Sequence, residues 1–159
     1  GQMVTGNMGS AMRMNYTMMG DTVNLAARLE SSAKQYGIYI QVAEETYKVC
    51  KEKFIWRNLD YVVVMGKTEP AQVFELIAEA ENMPNGYDEI LNAFHEALGL
   101  YKKQEWKKAI DAFKTSDKLE DMFPGRKTNP SRIYIPRCEF YMENPPGDDW
   151  DGSWTLTSK

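Results

Sequence analysis

The sequence predicts an α+β fold, and the distribution of apolar residues carries this prediction. Residues 1–80 alternate short runs rich in β-branched and aromatic residues with stretches of helical periodicity. Residues 81–143 show helical periodicity alone, and residues 144–159 combine prolines, tryptophans and acidic residues. We therefore expect three parts: a mixed sheet with helices in residues 1–80, a helical extension in residues 81–143, and an extended C-terminal arm in residues 144–159.

Composition excludes several classes of protein. The chain has 159 residues, a formal net charge of -4 and 43% hydrophobic residues, as soluble globular proteins do. No run approaches the roughly 20 apolar residues of a membrane-spanning helix, and the mild acidity offers no basic surface for nucleic acid. Cys50 and Cys138 lack the spacing of a zinc site or a disulfide framework, which favours reduced thiols in the cytoplasm.

The first elements are a strand and a helix. The opening residues, 1–9, contain three glycines and suit a strand whose neighbours in the sheet lie upstream. Helical spacing of apolar residues begins at Thr22, with Asp21 as the expected cap of the first turn, and Gly37 ends the helix.

A shorter alternation of strands and helices follows. Residues 38–42 form a β-rich run, and a helix is expected from Ala43 or Glu44 to Lys51. Residues 60–65 and 71–77 then form two strands of an antiparallel hairpin, with a turn over residues 66–70.

The helical extension begins after the breakers Pro84, Asn85 and Gly86. Apolar stripes predict helices over residues 88–103 and 106–119, which would pair as an αα-hairpin, and a third helix over residues 130–141. The hairpin resembles a single tetratricopeptide repeat. In the C-terminal arm, Trp150 and Trp154 are expected to anchor the chain by packing.

The first helix carries a pair of residues suited to binding phosphate. Asn24 and Arg28 are four residues apart, so both project from one face of a helix. Arg28 offers a planar guanidinium for phosphate oxygens, and the turn at residues 19–21 brings Thr17 from the preceding strand toward the same pocket. An ion pair between Arg28 and a carboxylate such as Glu30 is the alternative.

The order of residues from Arg13 to Glu30, RMNYTMMGDTVNLAARLE, resembles the signature of class III adenylate and guanylate cyclases. The resemblance covers roughly the first half of the chain. It implies the C-terminal half of a cyclase catalytic domain, an α+β fold related to the ferredoxin-like type, and the conversion of ATP into cyclic AMP and pyrophosphate.

The resemblance also implies a role for individual residues. Thr17 matches the position that reads the purine, and a threonine there favours adenine over guanine. Asn24 matches the residue that orients the ribose, and Arg28 matches the residue that contacts the reacting phosphate. Asp21 and Lys67 are the further substrate-binding candidates, with Lys67 as the substitute for a lysine that relatives carry in place of Met65.

In the family that this sequence resembles, two catalytic domains meet head to tail and ATP lies between them. Two Mg²⁺ or Mn²⁺ ions are held by aspartates that precede the part matched here, so this chain alone is expected to be inactive. The implied partners are therefore ATP and a second cyclase domain, in a homodimer. We expect a cytoplasmic location and no membrane contact by this segment; whether an anchor precedes it stays open.

A second hypothesis is a non-catalytic interaction module. In this interpretation a degenerate cyclase fold and the repeat-like hairpin dock a partner or another copy of the chain. Its support is the absence of the metal-binding aspartates and a methionine-rich stretch, which is more typical of an interface than of a cofactor site. The methionines are Met8, Met12, Met14, Met18 and Met19.

Overall fold

The chain begins with a hairpin that forms a sheet of its own. The structure is a computed structural model that describes residues 1–63, 69–120 and 126–156. Strands β1 (Val4–Ser10) and β2 (Arg13–Met19) pair in antiparallel register, with Gly6 opposite Thr17. Every residue of β2 is exposed. A methionine-rich and largely exposed hairpin therefore leads into the first helix.

Helix α1 (Asp21–Tyr36) follows β2 after a single residue. That residue, Gly20, is the N-cap and has φ 151° and ψ 162°, a conformation that essentially only glycine adopts. The prediction that Asp21 caps the helix is wrong, because Asp21 is already the first helical residue and no side chain caps this end. At the other end the helix stops at Gly37, as predicted, and this glycine adopts a left-handed conformation with φ 67°.

A four-stranded sheet forms the centre of the molecule, in the order β3-β5-β4-β6. Neighbouring strands are antiparallel except for β4 and β6, which run parallel. Between β3 and β4 the chain forms helix α2 and a short 3₁₀ turn at residues 51–53. The elements are β3 (Gln41–Ala43), α2 (Glu44–Cys50), β4 (Phe54–Val63), β5 (Ala71–Glu79) and β6 (Trp154–Thr155).

The helical extension contains the three predicted helices. They are α3 (Tyr87–Lys102), α4 (Trp106–Glu120) and α5 (Pro130–Glu143). Helix α4 packs against both α3 and α5. Asn129 caps α5 by accepting a hydrogen bond from the backbone N–H of Arg132 at 3.2 Å. The C-terminal arm then returns to the sheet, where it supplies β6.

Two of the apolar clusters in the described residues join these elements. The first packs α1 against the sheet through residues such as Leu29, Ala33 and Leu59. The second fills the helical extension with aromatic rings, and Trp150 and Trp154 of the C-terminal arm pack against it, as predicted. Trp106 and Tyr141 stack there with ring centroids 5.1 Å apart.

The predicted α+β class is confirmed, with helices and sheets in one chain. The ferredoxin-like relationship, the tetratricopeptide-like hairpin and the domain bounds at residues 80 and 143 stay predictions. None of the helices in the described residues is long and apolar enough to span a membrane.

Candidate functional site

The predicted phosphate-binding pair lies on helix α1, as its spacing requires. Asn24 and Arg28 are one turn apart on the same face. Asn24 is exposed and Arg28 is half-buried. Within the described part of the chain, neither side chain forms a hydrogen bond or an ion pair. The alternative partner of Arg28, Glu30, instead pairs with Lys34 at 2.8 Å. Both polar groups are therefore available to a ligand.

Thr17 lies on the strand that leads into this helix. It is exposed and stands two residues before the end of β2, and β2 contacts α1. The turn at Gly20 is tight, since a Cβ there would lie 3.3 Å from the carbonyl oxygen of Gln2. Thr22, in the first turn of α1, donates to the same carbonyl at 2.6 Å. The hairpin and the start of α1 are thus held together.

The two remaining substrate-binding candidates have different outcomes. Asp21 is exposed in the first turn of α1, where a carboxylate interacts favourably with the helix dipole. Lys67 lies outside the described residues. So does Met65, the position of the family lysine that Lys67 was expected to replace.

The described residues do not fit a metal centre. They contain no group of three or more His, Cys, Asp or Glu side chains able to hold an ion. The expectation that the aspartates for Mg²⁺ or Mn²⁺ precede this stretch stays a prediction.

A groove runs along the other side of α1, between that helix and β3. Its lining includes Leu25, Leu29, Ile38 and Val42 and is mostly apolar. Asn24 and Arg28 are not among the residues that line it. The groove and the polar pair thus lie on different faces of one helix.

Sequence reasoning missed a cluster of four charges, three of them buried, between the sheet and the helical extension. Arg57 of β4 is fully buried and bonds both carboxylate oxygens of Glu120, at 2.6 and 3.1 Å. Its Nε lies 3.1 Å from Glu75 of β5. Arg126 completes the cluster, 3.0 Å from Glu75 and 3.6 Å from Glu120. Burial raises the pKa of Glu75 even against the two guanidiniums.

A second buried network joins α1, β4 and α5. Asp60 of β4 accepts hydrogen bonds from Tyr36 at the end of α1, from Tyr134 at 2.7 Å and from Arg137 at 2.5 Å. Burial lowers the pKa of Arg137, but the charge and hydrogen bond of Asp60 together with the neighbouring Tyr36 and Tyr134 outweigh it, so the pKa lies well above its ordinary value. The guanidinium therefore stays charged at this buried position.

A bulge in β4 explains why Asp60 is buried. Asn58 pairs with Phe74 and Asp60 pairs with Val73, which leaves Leu59 as an extra residue in the ladder. As a result two consecutive residues are buried, with Leu59 in the apolar core and Asp60 among the polar groups of α1 and α5. The only signal in the sequence is charged residues inside a strand-like run.

Comparison with known proteins finds a family that the first part of the chain is similar to. Residues 1–77 match the family of the adenylate and guanylate cyclase catalytic domain. We call residues 1–77 the cyclase segment. It includes β1, β2, α1 and most of the central sheet, and thus Thr17, Asn24 and Arg28.

Two curated proteins and one solved structure are similar to parts of this chain. A terminal-differentiation specific adenylate cyclase of Dictyostelium discoideum is 32% identical over 142 residues, which cover 87% of this chain and 6% of that protein. An adenylate cyclase of Anabaena cylindrica is 38% identical over 81 residues, 49% of this chain and 16% of that protein. A crystal structure of the adenylyl cyclase CyaB from P. aeruginosa is 30% identical, with a TM-score of 0.44, over 52% of this chain and 41% of that one.

These alignments have two consequences for the extent of the similarity. The chain spans less than a fifth of the length of these two curated relatives. The similarity to the Dictyostelium protein also extends past the cyclase segment, because its 142 aligned residues exceed the 77 of the family match. Part of the helical extension is therefore shared with that adenylate cyclase.

Proposed function

We propose that this chain is part of an adenylate cyclase that converts ATP into cyclic AMP and pyrophosphate. The observation that carries the proposal is the placement of Asn24 and Arg28 on one face of α1, without a partner among the described residues, inside the segment that matches the cyclase family. An unpaired guanidinium beside an amide is a site for phosphate and ribose oxygens.

The proposed reaction is an internal displacement at phosphorus. The ribose 3′-oxygen attacks the α-phosphorus, the bond from that phosphorus to the oxygen bridging the β-phosphate breaks, and pyrophosphate leaves. The proton of the 3′-hydroxyl is released to solvent. Arg28 stabilises the negative charge that develops on the phosphoryl oxygens during this step, which is where a fixed cation accelerates phosphoryl transfer.

The other candidates hold the nucleotide. Asn24 hydrogen-bonds the ribose and fixes the direction from which its 3′-oxygen attacks. Thr17 reads the edge of the purine and selects adenine, because its hydroxyl both donates and accepts hydrogen bonds. Asp21 and Lys67 are the remaining substrate-binding residues. By holding the nucleotide in place, these residues orient the reacting groups. Such orientation can lower an activation barrier by several kcal/mol, roughly 7 to 11 in the best cases.

The site is completed by a second cyclase domain. The described residues hold no group able to bind a metal, whereas the family uses Mg²⁺ or Mn²⁺. The ligands of these ions come from another part of the protein, and a homodimer brings the two halves of each site together. The exposed apolar residues of the β1–β2 hairpin offer a surface for this contact. In this proposal the isolated chain is inactive.

The test is the substitution Arg28→Ala in the full-length protein that contains this sequence. We expect kcat for cyclic AMP formation to fall about 100-fold, the loss typical for one transition-state donor, with little change in the KM for ATP. Lys34→Ala is the matched control. Lys34 is an exposed cation on the same helix, so its loss is expected to change neither parameter by more than about twofold. Equal effects of the two substitutions would contradict the role of Arg28.

One observation favours the non-catalytic interaction module instead. The β1–β2 hairpin exposes several large apolar side chains, and such patches mark protein interfaces. A folded full-length protein that forms a specific complex but makes no cyclic AMP would favour this second function. The exposed residues include Val4, Met12, Met14, Tyr16, Met18 and Met19.

A further inference from the structure

The C-terminal end of helix α1 is fastened to the helical extension by a buried polar contact. Arg137 of α5 donates to the hydroxyl oxygen of Tyr36 at 3.1 Å and to Asp60 at 2.5 Å. Tyr36 in turn donates to Asp60. The three side chains are almost completely buried, with exposed fractions of 1% for Tyr36, 2% for Asp60 and 5% for Arg137. We call these three residues the α1 anchor.

Two further contacts join the same parts of the molecule. Gly37, directly after α1, lies so close to the segment before α5 that a Cβ on it would be 2.1 Å from the carbonyl oxygen of Thr128. Ile133 of α5 packs against the apolar cluster that contains Leu29 and Ala33 of α1. Polar bonds, backbone contact and apolar packing thus all fix the same end of one helix.

Burial makes the α1 anchor resistant to small movements. Water cannot replace a lost partner at this depth, so a shift that breaks one of its bonds leaves a buried polar or charged group unsatisfied. Burial and the neighbouring carboxylate of Asp60 raise the pKa of Tyr36, so its hydroxyl remains a neutral donor. The α1 anchor therefore favours a single arrangement in which all of its hydrogen bonds are formed.

The polar pair of the candidate site lies on the same helix. Arg28 precedes Tyr36 by eight residues, which corresponds to about 12 Å along the helix axis. A helix of this length moves as a rigid body, so the position of its C-terminal end sets the direction of Asn24 and Arg28. The buried residues of α1 all lie in its C-terminal half, on the side of the α1 anchor; they are Leu29, Ser32, Ala33 and Tyr36.

We infer that the helical extension positions the nucleotide-contacting helix of the cyclase, and that Arg137 and Tyr36 are positioning residues for Asn24 and Arg28. This inference rests on the proposed function. Neither residue touches the substrate; both act through the placement of α1. A misplacement of about 1 Å at reacting groups can reduce turnover about 100-fold, so a modest tilt of α1 is enough to alter kcat.

The test compares two substitutions that each remove one hydroxyl bonded to Asp60. Tyr36→Phe removes the polar bonds that α1 makes with the other two members of the α1 anchor. Tyr134→Phe removes bonds from α5 to Asp60 and to the carbonyl oxygen of Leu59, at 2.7 and 3.0 Å, but leaves Tyr36 in place. Both rings keep their packing, so similar losses of thermal stability are expected.

Kinetics of the full-length protein separate positioning from general stability. Tyr36→Phe is expected to lower kcat for cyclic AMP about tenfold with little change in the KM for ATP, and Tyr134→Phe to leave kcat within about twofold. Similar reductions in kcat by the two substitutions, in proportion to lost stability, would overturn the inference. An unchanged kcat in Tyr36→Phe would also overturn it.

A second measurement does not depend on cyclase activity. Hydrogen exchange of the backbone amides in residues 24–36 is expected to be faster in Tyr36→Phe than in Tyr134→Phe. If the protein makes no cyclic AMP but this difference is found, the proposed function fails while the fastening of α1 by the extension stands. Equal exchange in the two variants would contradict the α1 anchor itself.

Discussion

At the scale of single residues, His95 links folding to pH. It is the one histidine of the sequence, and its Nε2 accepts a hydrogen bond from the backbone N–H of Asn58 at 3.0 Å. A protonated imidazole has no acceptor atom and cannot keep this bond. Partial burial of the ring, followed by the positive charges of Arg57 and Lys102, lowers the pKa of His95 below its ordinary value of 6.5.

This shift predicts a loss of stability in acid. Because the pKa of His95 is lower in the folded chain, its contribution to folding stability is fully present above the unfolded pKa of 6.5. This contribution is lost as the pH falls through the folded pKa. We expect the melting temperature of the unmodified chain to decrease more between pH 7 and pH 5 than that of His95→Gln, which has no titrating ring. Parallel melting curves for the two chains would contradict this linkage.

The residues predicted from the sequence lie on one helix, whereas the buried residue that was missed has its partners on distant elements. Asn24 and Arg28 follow from helical spacing, since four residues bring two side chains to one face. Asp60 could not be found in this way, because its burial depends on the bulge at Leu59 and on the distant Tyr134 and Arg137. Local periodicity carries no information on such long-range partners.

At the scale of elements, the close approach of α1 and the segment before α5 depends on a glycine. Gly37 has φ 67°, and a Cβ there would overlap the carbonyl oxygen of Thr128 at 2.1 Å. Gly86, the N-cap of α3, has a similar φ of 78° but no atom within 4 Å of a Cβ. The two positions therefore share the backbone conformation and differ in the space around them.

The pair provides a controlled substitution experiment. Gly86→Ala is expected to cost about 1 to 2 kcal/mol, the penalty for an L-residue in the left-handed region. Gly37→Ala carries the same penalty together with the displacement of Thr128, so its free energy of unfolding should be lower by at least about a further 1 kcal/mol. Chemical denaturation of the two variants measures the difference. Equal losses would show that α1 and this segment are not in close contact.

The helices could be predicted more accurately than the short strands. The helices of the extension follow from clear apolar stripes, and all three form close to their expected bounds. The β-rich run at residues 38–42 is only partly a strand, because the N–H of Ile38 bonds the carbonyl of Ala33 and so completes the end of α1. The two residues of β6 are too few for any periodicity, and their pairing with β4 depends on the return of the C-terminal arm.

At the scale of the whole molecule, buried charges join the two halves of the chain. Arg57 and Glu75 belong to the central sheet, and Glu120 and Arg126 belong to the helical extension. Removing one partner of a buried ion pair typically costs about 3 to 5 kcal/mol, because the other charge stays buried without compensation. The sheet and the extension therefore depend on each other, although the sequence predicts a boundary between them near residue 80.

The helical extension also contributes to the proposed function. A single helical hairpin cannot bury its own apolar face, and here α5 and the C-terminal arm cover part of it with aromatic rings. Arg137 of the same extension holds α1 through its buried hydrogen bond to Tyr36. Its contribution to the proposed cyclase is thus to hold the helix that carries Asn24 and Arg28.

The most direct measurement for the central claim is the identity of the product formed from ATP by the full-length protein and by this chain alone. We expect cyclic AMP and pyrophosphate in equal amounts from the full-length protein with Mn²⁺ or Mg²⁺, less product from GTP than from ATP, and no product from residues 1–159 alone. A full-length protein that is folded and dimeric, yet releases no cyclic AMP from ATP, would contradict the claim.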